Sequence, residues 1–191
     1  MQELEKSCEQ LSQKYLELAG KLSALRQKKA KMLEKKIQKG LEDLNFEQVQ
    51  FEIHFAEKKE YAKDGIDDVE FRISLNQGQP VKPLTEVASG GELSRIMLAI
   101  KAVMADKDEI ETLIFDEIDT GISGRTAWKV AEQLSILAGA HQVICITHLP
   151  QIAAMADVHF IIEKSSTDDM TITDIHKVAE EESLAELARL L

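Results

Sequence analysis

The sequence predicts a mixed α/β protein with a long helical arm in front of it. Apolar residues recur every seven positions at the start of the chain, apolar and polar residues then alternate, and from residue 90 onwards short apolar runs alternate with helical patterns. The 191 residues are 44% hydrophobic and 30% charged, which is typical of a globular protein rather than a disordered or collagen-like chain. We therefore expect a coiled-coil arm at residues 1–45 and an α/β lobe at residues 46–191.

The arm is predicted to be one helix of a coiled coil. Its heptad seam consists of Leu4, Leu11, Leu18, Leu25 and Met32, with Cys8, Tyr15 and Leu22 four residues after the first three. One helix cannot bury its own apolar stripe, so the seam predicts a partner helix from elsewhere. Beyond Met32 the apolar residues shift in phase up to Leu44, which indicates a change of packing partner. An ordinary amphipathic helix packed on a core is the alternative.

Charge is distributed unevenly along the chain. The net charge is -11, but residues 1–45 carry +3 and residues 46–191 carry -14. A strongly acidic surface repels a phosphate backbone, so we expect any DNA contact on the arm. Between Lys21 and Lys39 there are eight basic residues and one acidic residue. The candidate DNA contacts there are Arg26, Lys28, Lys29, Lys31, Lys35, Lys36 and Lys39. A solvated helix face is the alternative interpretation of this stretch.

The cysteines and the hydropathy pattern predict a cytoplasmic protein. Cys8 and Cys145 are isolated and far apart in sequence, which fits neither a disulfide framework nor a zinc cluster. The longest apolar stretch, Ile96 to Ala105, is interrupted by Lys101 and is too short to span a bilayer. We therefore expect no membrane segment.

The lobe is predicted to begin with a β-hairpin and to continue as alternating helices and strands. Apolar and polar residues alternate over residues 49–55 and 69–75, with turn residues at Asp64-Gly65 and Asp67-Asp68. The later elements are helices near 90–104, 124–137, 151–156 and 183–190, and strands near 112–115, 143–147, 158–163 and 171–176. The strands at 112–115 and 143–147 are apolar on both faces, which predicts a parallel sheet buried between helix layers.

A helix start near residue 89 is a candidate phosphate site. Ser89 with Glu92 three residues later forms a capping-box pattern, which is a purely structural device. Gly90 and Gly91 are not needed for capping and cost helix stability. Two missing Cβ atoms allow a ligand to approach free N–H groups at the positive end of the helix dipole. The sequence pattern is typical both of phosphate contact and of capping alone.

Acidic and histidine side chains follow the two central strands. Asp116 and Glu117 come directly after the strand at 112–115, at the end where open α/β sheets bind ligands. One carboxylate could hold Mg²⁺ together with water and phosphate oxygens, and the next could deprotonate a water. His148, after the strand at 143–147, could contact a phosphate or a water. The alternatives are ordinary turn acids and a surface histidine.

Four motifs in order resemble the C-terminal part of RecN, the bacterial DNA-repair family of the SMC-like ABC ATPases. They lie at Ala88 to Arg95, Ile114 to Asp119, Thr120 to Gly124 and Thr147 to Gln151, behind the coiled-coil arm. The residues themselves show no P-loop, because the Gly20-Lys21 pair lies in the arm and is followed by Leu22. We therefore expect the P-loop lobe on a segment outside this chain.

The resemblance implies the C-terminal lobe of an ABC head and a role for each motif residue. Ser89, Gly90, Gly91 and Glu92 would belong to the signature that contacts ATP bound to a second head. Asp116 would be the magnesium-associated acid, Glu117 the general base, Asp119 the acid of the loop that crosses the dimer interface, and His148 the switch histidine. Residues 1–45 would be the returning half of the coiled coil. The implied partners are the P-loop lobe and a coiled-coil partner helix, a second head in a homodimer, and DNA. ATP and Mg²⁺ would bind only together with that lobe, so the chain alone would be inactive.

The resemblance also implies a location and leaves a second class of function open. A RecN-like protein would be bacterial, cytoplasmic and associated with the nucleoid, and it would act in repair of DNA double-strand breaks through ATP-driven head engagement. The alternative is a structural or interaction module of another SMC-like protein, whose acids and glycines only shape turns and caps.

Overall fold

The fold is described from a computed structural model that covers residues 1–46, 48–86, 89–107, 109–166 and 170–191. Contacts divide the chain into two compact units, Met1–Val87 and Ala88–Leu191. The predicted arm and hairpin lie in the first unit, and the predicted phosphate-site motifs lie in the second. The division at residues 45 and 46 into arm and lobe stays a prediction.

Helix α1 spans Gln2–Asp43 and forms the arm of the first unit. All five seam positions from Leu4 to Met32 are more than half exposed. A second stripe of the helix is buried instead, at Ala19, Ser23, Ala30, Ile37 and Leu41. The sequence indicated the last two through the phase shift, but it gave no signal for the first three, which are small or polar.

Strands β1 (Gln50–Glu57) and β2 (Asp67–Ser74) form the predicted antiparallel hairpin. A two-residue strand β3 (Lys82–Pro83) extends this sheet at β2 and was not predicted. Asp67 and Asp68 open β2, so the prediction that they form a turn is wrong. The reason is tertiary: the buried Asp67 carboxylate accepts hydrogen bonds from Ser23 Oγ at 2.5 Å and from the Arg26 guanidinium at 2.9 Å.

The second unit alternates helices and strands as predicted. Its elements are α2 (Gly90–Met104), β4 (Thr112–Phe115), α3 (Gly124–Ala138), β5 (Gln142–Cys145), α4 (Pro150–Ala153), β6 (Phe160–Ser166), β7 (Thr171–Lys177) and α5 (Glu180–Leu190). Strands β4 and β5 are parallel and in direct register, from the pair Thr112 and Gln142 to the pair Phe115 and Cys145. Strands β6 and β7 form a separate antiparallel hairpin.

The core of the second unit lies between α2, α3 and one face of the β4–β5 sheet. Fully buried side chains include Ile96, Leu98, Ile118, Val130 and Leu137. The prediction that β4 and β5 are buried on both faces is wrong for the described chain. Leu113 and Phe115 are buried, whereas Ile114 is 68% and Ile144 is 45% exposed.

The physical reason is that the described residues cover only one side of this sheet. Apolar side chains on both faces indicate that a strand suits a sheet covered on two sides, but they do not show which chain segment provides the cover. Within the described part of the chain, no helix is long and apolar enough to cross a membrane.

Candidate functional site

The first turn of α2 begins as the capping pattern predicts. Ser89 is the N-cap in extended conformation, and its side-chain oxygen accepts a hydrogen bond from the Glu92 N–H at 3.4 Å. Gly90 is exposed and Gly91 is buried. Ala88, the first residue of the motif, lies outside the described residues. The helix therefore presents its N-terminus at the Ser89 to Gly91 turn, with Glu92 half-buried behind it.

The two glycines lie against the loop that follows β4. A Cβ atom on Gly91 would be 2.8 Å from the Glu117 carbonyl oxygen and 2.9 Å from Thr120 Cβ. Contacts this short do not occur between real side chains and backbone. A Cβ atom on Gly90 would collide only with the end of the Glu117 side chain. Gly91 is thus required by packing within this chain, a reason that the sequence did not indicate.

Asp116 and Glu117 lie directly after β4, and both are exposed. The Asp116 carboxylate accepts a hydrogen bond from the Glu117 N–H at 2.9 Å, and the Asp116 carbonyl accepts one from Ser94 Oγ at 2.7 Å. Glu117 has a φ of +57°, a backbone angle that residues other than glycine rarely adopt. Strained backbone of this kind clusters at functional sites and persists where neighbouring contacts fix it.

Arg95 fastens α2 to the same loop, and the sequence gave it no role although it is part of the quoted motif. Its buried guanidinium donates to the Ile118 carbonyl at 3.2 Å and to the Thr120 carbonyl at 3.0 Å. Burial lowers the pKa of Arg95, and the nearby charge of Glu92 acts in the opposite direction. Helix α2 and the loop at residues 116–120 therefore form one hydrogen-bonded body.

Asp119 joins the loop after β4 to the loop after β5. It is only 4% exposed, and its Oδ2 accepts hydrogen bonds from Thr147 Oγ1 at 2.6 Å and from the His148 N–H at 2.8 Å. The same oxygen lies 3.0 Å from His148 Nδ1, and the His148 side chain is largely exposed. Asp119 thus faces the interior of its own unit and contacts the predicted switch histidine directly.

Cys145 ends β5 next to these acids. Burial raises the pKa of the Cys145 thiol to about 12, and the charges of Asp119 and Asp116 act in the same direction. The side chain therefore stays a neutral thiol near neutral pH and does not supply a thiolate to the site.

The Asp116 carboxylate suits a magnesium ion that takes most of its ligands from water and phosphate. Among the described residues, no cluster of three or more His, Cys, Asp or Glu side chains could hold a metal by itself. Asp116 offers an exposed carboxylate at a strand end, and Mg²⁺ commonly binds one or two carboxylates and takes its other ligands from water and phosphate.

The basic residues predicted to contact DNA lie in the first unit. Lys28, Lys29, Lys31, Lys35 and Lys36 are all exposed on α1, and Lys31 pairs with Glu34 at 3.0 Å. They are available to an anionic partner, as a solvated helix face would also be.

Comparison with known proteins confirms the resemblance to the C-terminal part of RecN. The chain is 44% identical over 174 residues to the DNA repair protein RecN of Halalkalibacterium halodurans, which covers 89% of this chain and 31% of that protein. It is 39% identical over 206 residues to RecN of Bacillus subtilis, which covers the whole chain and 36% of that protein. The chain therefore spans about a third of the length of these relatives. No family model matches the chain.

A solved structure shows the same fold. The Smc head domain with a coiled coil and joint from Pyrococcus yayanosii aligns with a TM-score of 0.57 at 22% identity, over 86% of this chain and 30% of that one. The described chain is therefore a mixed α/β part of an SMC-type head fold with a coiled-coil helix.

Proposed function

We propose that this chain is the C-terminal portion of a RecN-like ATPase that acts in repair of DNA double-strand breaks. It supplies the signature turn, the strand-end acids, the following loop and the switch histidine of an ATP-driven head. Residues 1–45 serve as the returning half of a coiled-coil arm, and residues 46–191 serve as the C-terminal lobe.

One observation carries this proposal. The Ser89 to Gly91 turn packs on the loop that carries Asp116 and Glu117, and Asp119 of the same loop contacts His148. Three separate elements therefore meet in one unit. The acids and the histidine follow neighbouring parallel strands at the same edge of the sheet. This edge is where open α/β sheets bind their ligands. Caps and turns formed for local reasons alone would not need this convergence.

Each residue type suits a step of phosphoryl transfer to water. Glu117 is exposed and acts as the general base that orients and deprotonates the attacking water. Asp116 holds Mg²⁺, through water, when the nucleotide is bound. His148 presents a ring nitrogen to the γ-phosphate. Ser89, Gly90 and Gly91, with Glu92 behind them, form the helix N-terminus that meets the γ-phosphate of ATP bound to a second head.

The proposal assigns the remaining parts of the reaction to other segments. The P-loop lobe and the second coiled-coil helix belong to the rest of the longer protein, and a second head completes a homodimer. Asp119 lies in the loop next to that dimer interface. DNA meets the arm at the exposed Lys28, Lys29, Lys31, Lys35, Lys36 and Lys39, whereas the Arg26 guanidinium is held by Asp67. The protein acts in the bacterial cytoplasm on the nucleoid.

A chimaera tests the proposal directly. This chain replaces the matching third of the H. halodurans RecN, and ATP turnover is measured with and without DNA. We expect turnover in the chimaera, and we expect Glu117→Gln to abolish turnover while ATP-bound head dimers accumulate in size-exclusion chromatography. Glu111→Gln is the matched control, since Glu111 is exposed and lies before the same strand, at its opposite end. Normal turnover in Glu117→Gln would remove Glu117 from the role of base.

The exposed seam of α1 favours a second candidate, a structural or interaction module that uses this chain without ATP. Five apolar side chains at heptad spacing are more than half exposed, and they suit a partner helix whatever the second unit does. Ser89→Arg in the chimaera separates the two functions. Loss of ATP-dependent association supports the ATPase, and unchanged association supports the module.

A further inference from the structure

We propose that Asp119 is a positioning residue for His148: its carboxylate fixes the Thr147 to His148 loop and holds the imidazole with its proton on Nδ1. The inference deepens the proposed function and rests on it for the role of His148 in turnover. It gives Asp119 a task within its own unit, in place of the interface role that the resemblance implies.

The geometry around Asp119 carries the inference. A single carboxylate oxygen, Oδ2, lies 2.6 Å from Thr147 Oγ1, 2.8 Å from the His148 backbone nitrogen and 3.0 Å from His148 Nδ1. All three atoms belong to two consecutive residues of the loop after β5. Thr147 Oγ1 also accepts a hydrogen bond from the Leu149 N–H at 3.0 Å, so the hydroxyl is fixed on both sides.

Burial of this carboxylate needs an explanation beyond a turn preference. Asp119 is 4% exposed, and a buried charge costs free energy unless donors compensate it. Two hydrogen bonds from the loop and the nearby imidazole provide this compensation. An apolar or small side chain would avoid the cost entirely, but it would leave the Thr147 hydroxyl and the His148 N–H without this partner.

The carboxylate also determines the protonation pattern of the ring. His148 Nδ1 lies 3.0 Å from the negative oxygen, so the carboxylate attracts a proton on Nδ1 and repels a lone pair there. In the neutral ring the proton therefore lies on Nδ1, and Nε2 presents a lone pair on the exposed side. Nε2 can then accept a hydrogen bond from the water that Glu117 orients, or carry a proton to the phosphate when the ring is charged.

Asp119 is itself held in place by α2. Arg95 donates to the carbonyls of Ile118 and Thr120, the two residues that flank Asp119. Hydrogen bonds from Arg95 therefore fix the backbone on both sides of Asp119, the residue that contacts the histidine loop. This arrangement suits a group that must keep one ring in one orientation.

The first test measures the ring in the full 191-residue chain, labelled with ¹⁵N, at a mildly alkaline pH where an ordinary imidazole is neutral. Long-range ¹H–¹⁵N correlation spectra distinguish the two tautomers. We expect His148 to carry its proton on Nδ1, and we expect Asp119→Asn to move the population towards Nε2. Thr147→Val removes the hydroxyl bond to the same oxygen but leaves the carboxylate beside the ring, so the tautomer should not change.

Asp174→Asn is the matched control outside the site. Asp174 lies 3.3 Å from Nδ1 of His176 on β7, so its loss should alter the His176 signals and leave those of His148 unchanged. A wild-type His148 ring with its proton on Nε2 would overturn the inference even if Asp119→Asn does not fold. An unchanged tautomer in folded Asp119→Asn would overturn it as well.

The second test measures turnover in the chimaera with the H. halodurans RecN. Asp119→Asn should lower kcat at least about tenfold, by analogy with the loss of a residue that orients a metal-bound histidine. The KM for ATP should stay within about twofold, because the lost orientation matters in the transition state rather than in binding. Equal kcat in both proteins would contradict the positioning role. A ring that responds to Asp119 in a chimaera without ATP turnover would instead count against the proposed function.

Discussion

The paired glycines at the start of α2 allow a matched test of why each is there. Gly90→Ala and Gly91→Ala make the same chemical change in the same helical turn. Both substitutions lower the entropy of the unfolded chain and raise helix propensity, which together stabilise by roughly 0.4 to 1 kcal/mol where the added methyl group fits. Any difference between the two therefore comes from what each new Cβ atom meets.

The contacts of Gly91 predict a large cost. Its Cβ atom would lie 2.8 Å from the Glu117 carbonyl oxygen, 2.9 Å from Thr120 Cβ and 3.1 Å from the Thr120 carbonyl oxygen. Two of these three are backbone atoms, and Arg95 pins that backbone, so the helix and the loop must separate. Overpacking of this kind costs about 1 to 3 kcal/mol. After the favourable terms, we expect Gly91→Ala to destabilise the second unit by about 1 to 2 kcal/mol.

The contacts of Gly90 predict almost no cost in stability for Gly90→Ala. The single group in the way is the end of the exposed Glu117 side chain, which can rotate into solvent. We expect Gly90→Ala to leave stability unchanged or to raise it by up to about 1 kcal/mol. Gly90 tests the proposed phosphate role instead, since under the proposed function its added methyl group would stand where the γ-phosphate of a second head meets the helix N-terminus. In the chimaera, ATP-dependent association should weaken.

Urea unfolding followed by Trp128 fluorescence measures both variants. Trp128 is the single tryptophan of the chain and lies on α3, so its signal reports on the second unit. In a thermal scan with the same signal, the expected loss for Gly91→Ala corresponds to a drop in Tm of roughly 5 to 10 °C for a unit of about 100 residues. Equal stability of the two variants would refute the packing explanation for Gly91.

Three further substitutions or modifications test other contacts. Arg95→Met keeps the apolar stem but removes two charge-assisted hydrogen bonds to loop carbonyls, so the free energy of unfolding of the second unit, followed by Trp128 fluorescence, should fall by about 2 to 3 kcal/mol. A fall below about 0.5 kcal/mol would be inconsistent with these bonds holding the loop. Asp67→Ala should destabilise the first unit by about 1 to 3 kcal/mol, because the Ser23 hydroxyl and the Arg26 guanidinium lose their acceptor. Unfolding followed by the near-ultraviolet circular dichroism of the two tyrosines measures this loss, and an unchanged unfolding curve would contradict it. Exposed Cys8 should react with iodoacetamide ahead of Cys145. The thiolate of Cys145 is about a thousandfold scarcer near neutral pH than that of an ordinary thiol, and its higher intrinsic nucleophilicity recovers only about twentyfold. Since the pKa of Cys145 is raised, the contribution of its neutral thiol to stability is intact below the ordinary thiol pKa and is lost as the pH rises towards 12. Equal labelling rates of the two cysteines at pH near 8 would contradict the raised pKa and therefore also this pH dependence.

The elements with strong local signals could be predicted almost to the residue. Helix α2 was expected at residues 90–104 and spans Gly90–Met104, because a capping serine marks its start and an apolar stripe continues to its end. Strand β4 was expected at residues 112–115 and spans Thr112–Phe115, because an unbroken apolar run ends in two acids. Both signals lie within a few residues of the boundary that they mark.

Features set by distant contacts could not be predicted in this way. Asp67 has the residue type of a turn but begins a strand, since α1 supplies the donors for its carboxylate. Arg95 and Asp119 are each among the motif residues, yet their partners lie more than twenty positions away in sequence. The sequence could identify the residue types of the candidate site, and only the structure connects them to one another.

These connections have a consequence for how a head of this kind would work. Under the proposed function, the turn at Ser89 to Gly91 meets ATP on a second head, whereas Glu117 and His148 act on ATP at their own head. In this chain the two groups are not independent, because Gly91 packs on the loop that carries Glu117 and the same loop holds His148 through Asp119. A shift of the signature turn on meeting ATP would therefore move the base and the histidine of the other site. Loss of the Gly91 contact should then reduce turnover at both sites of a dimer, even when only one head carries the substitution.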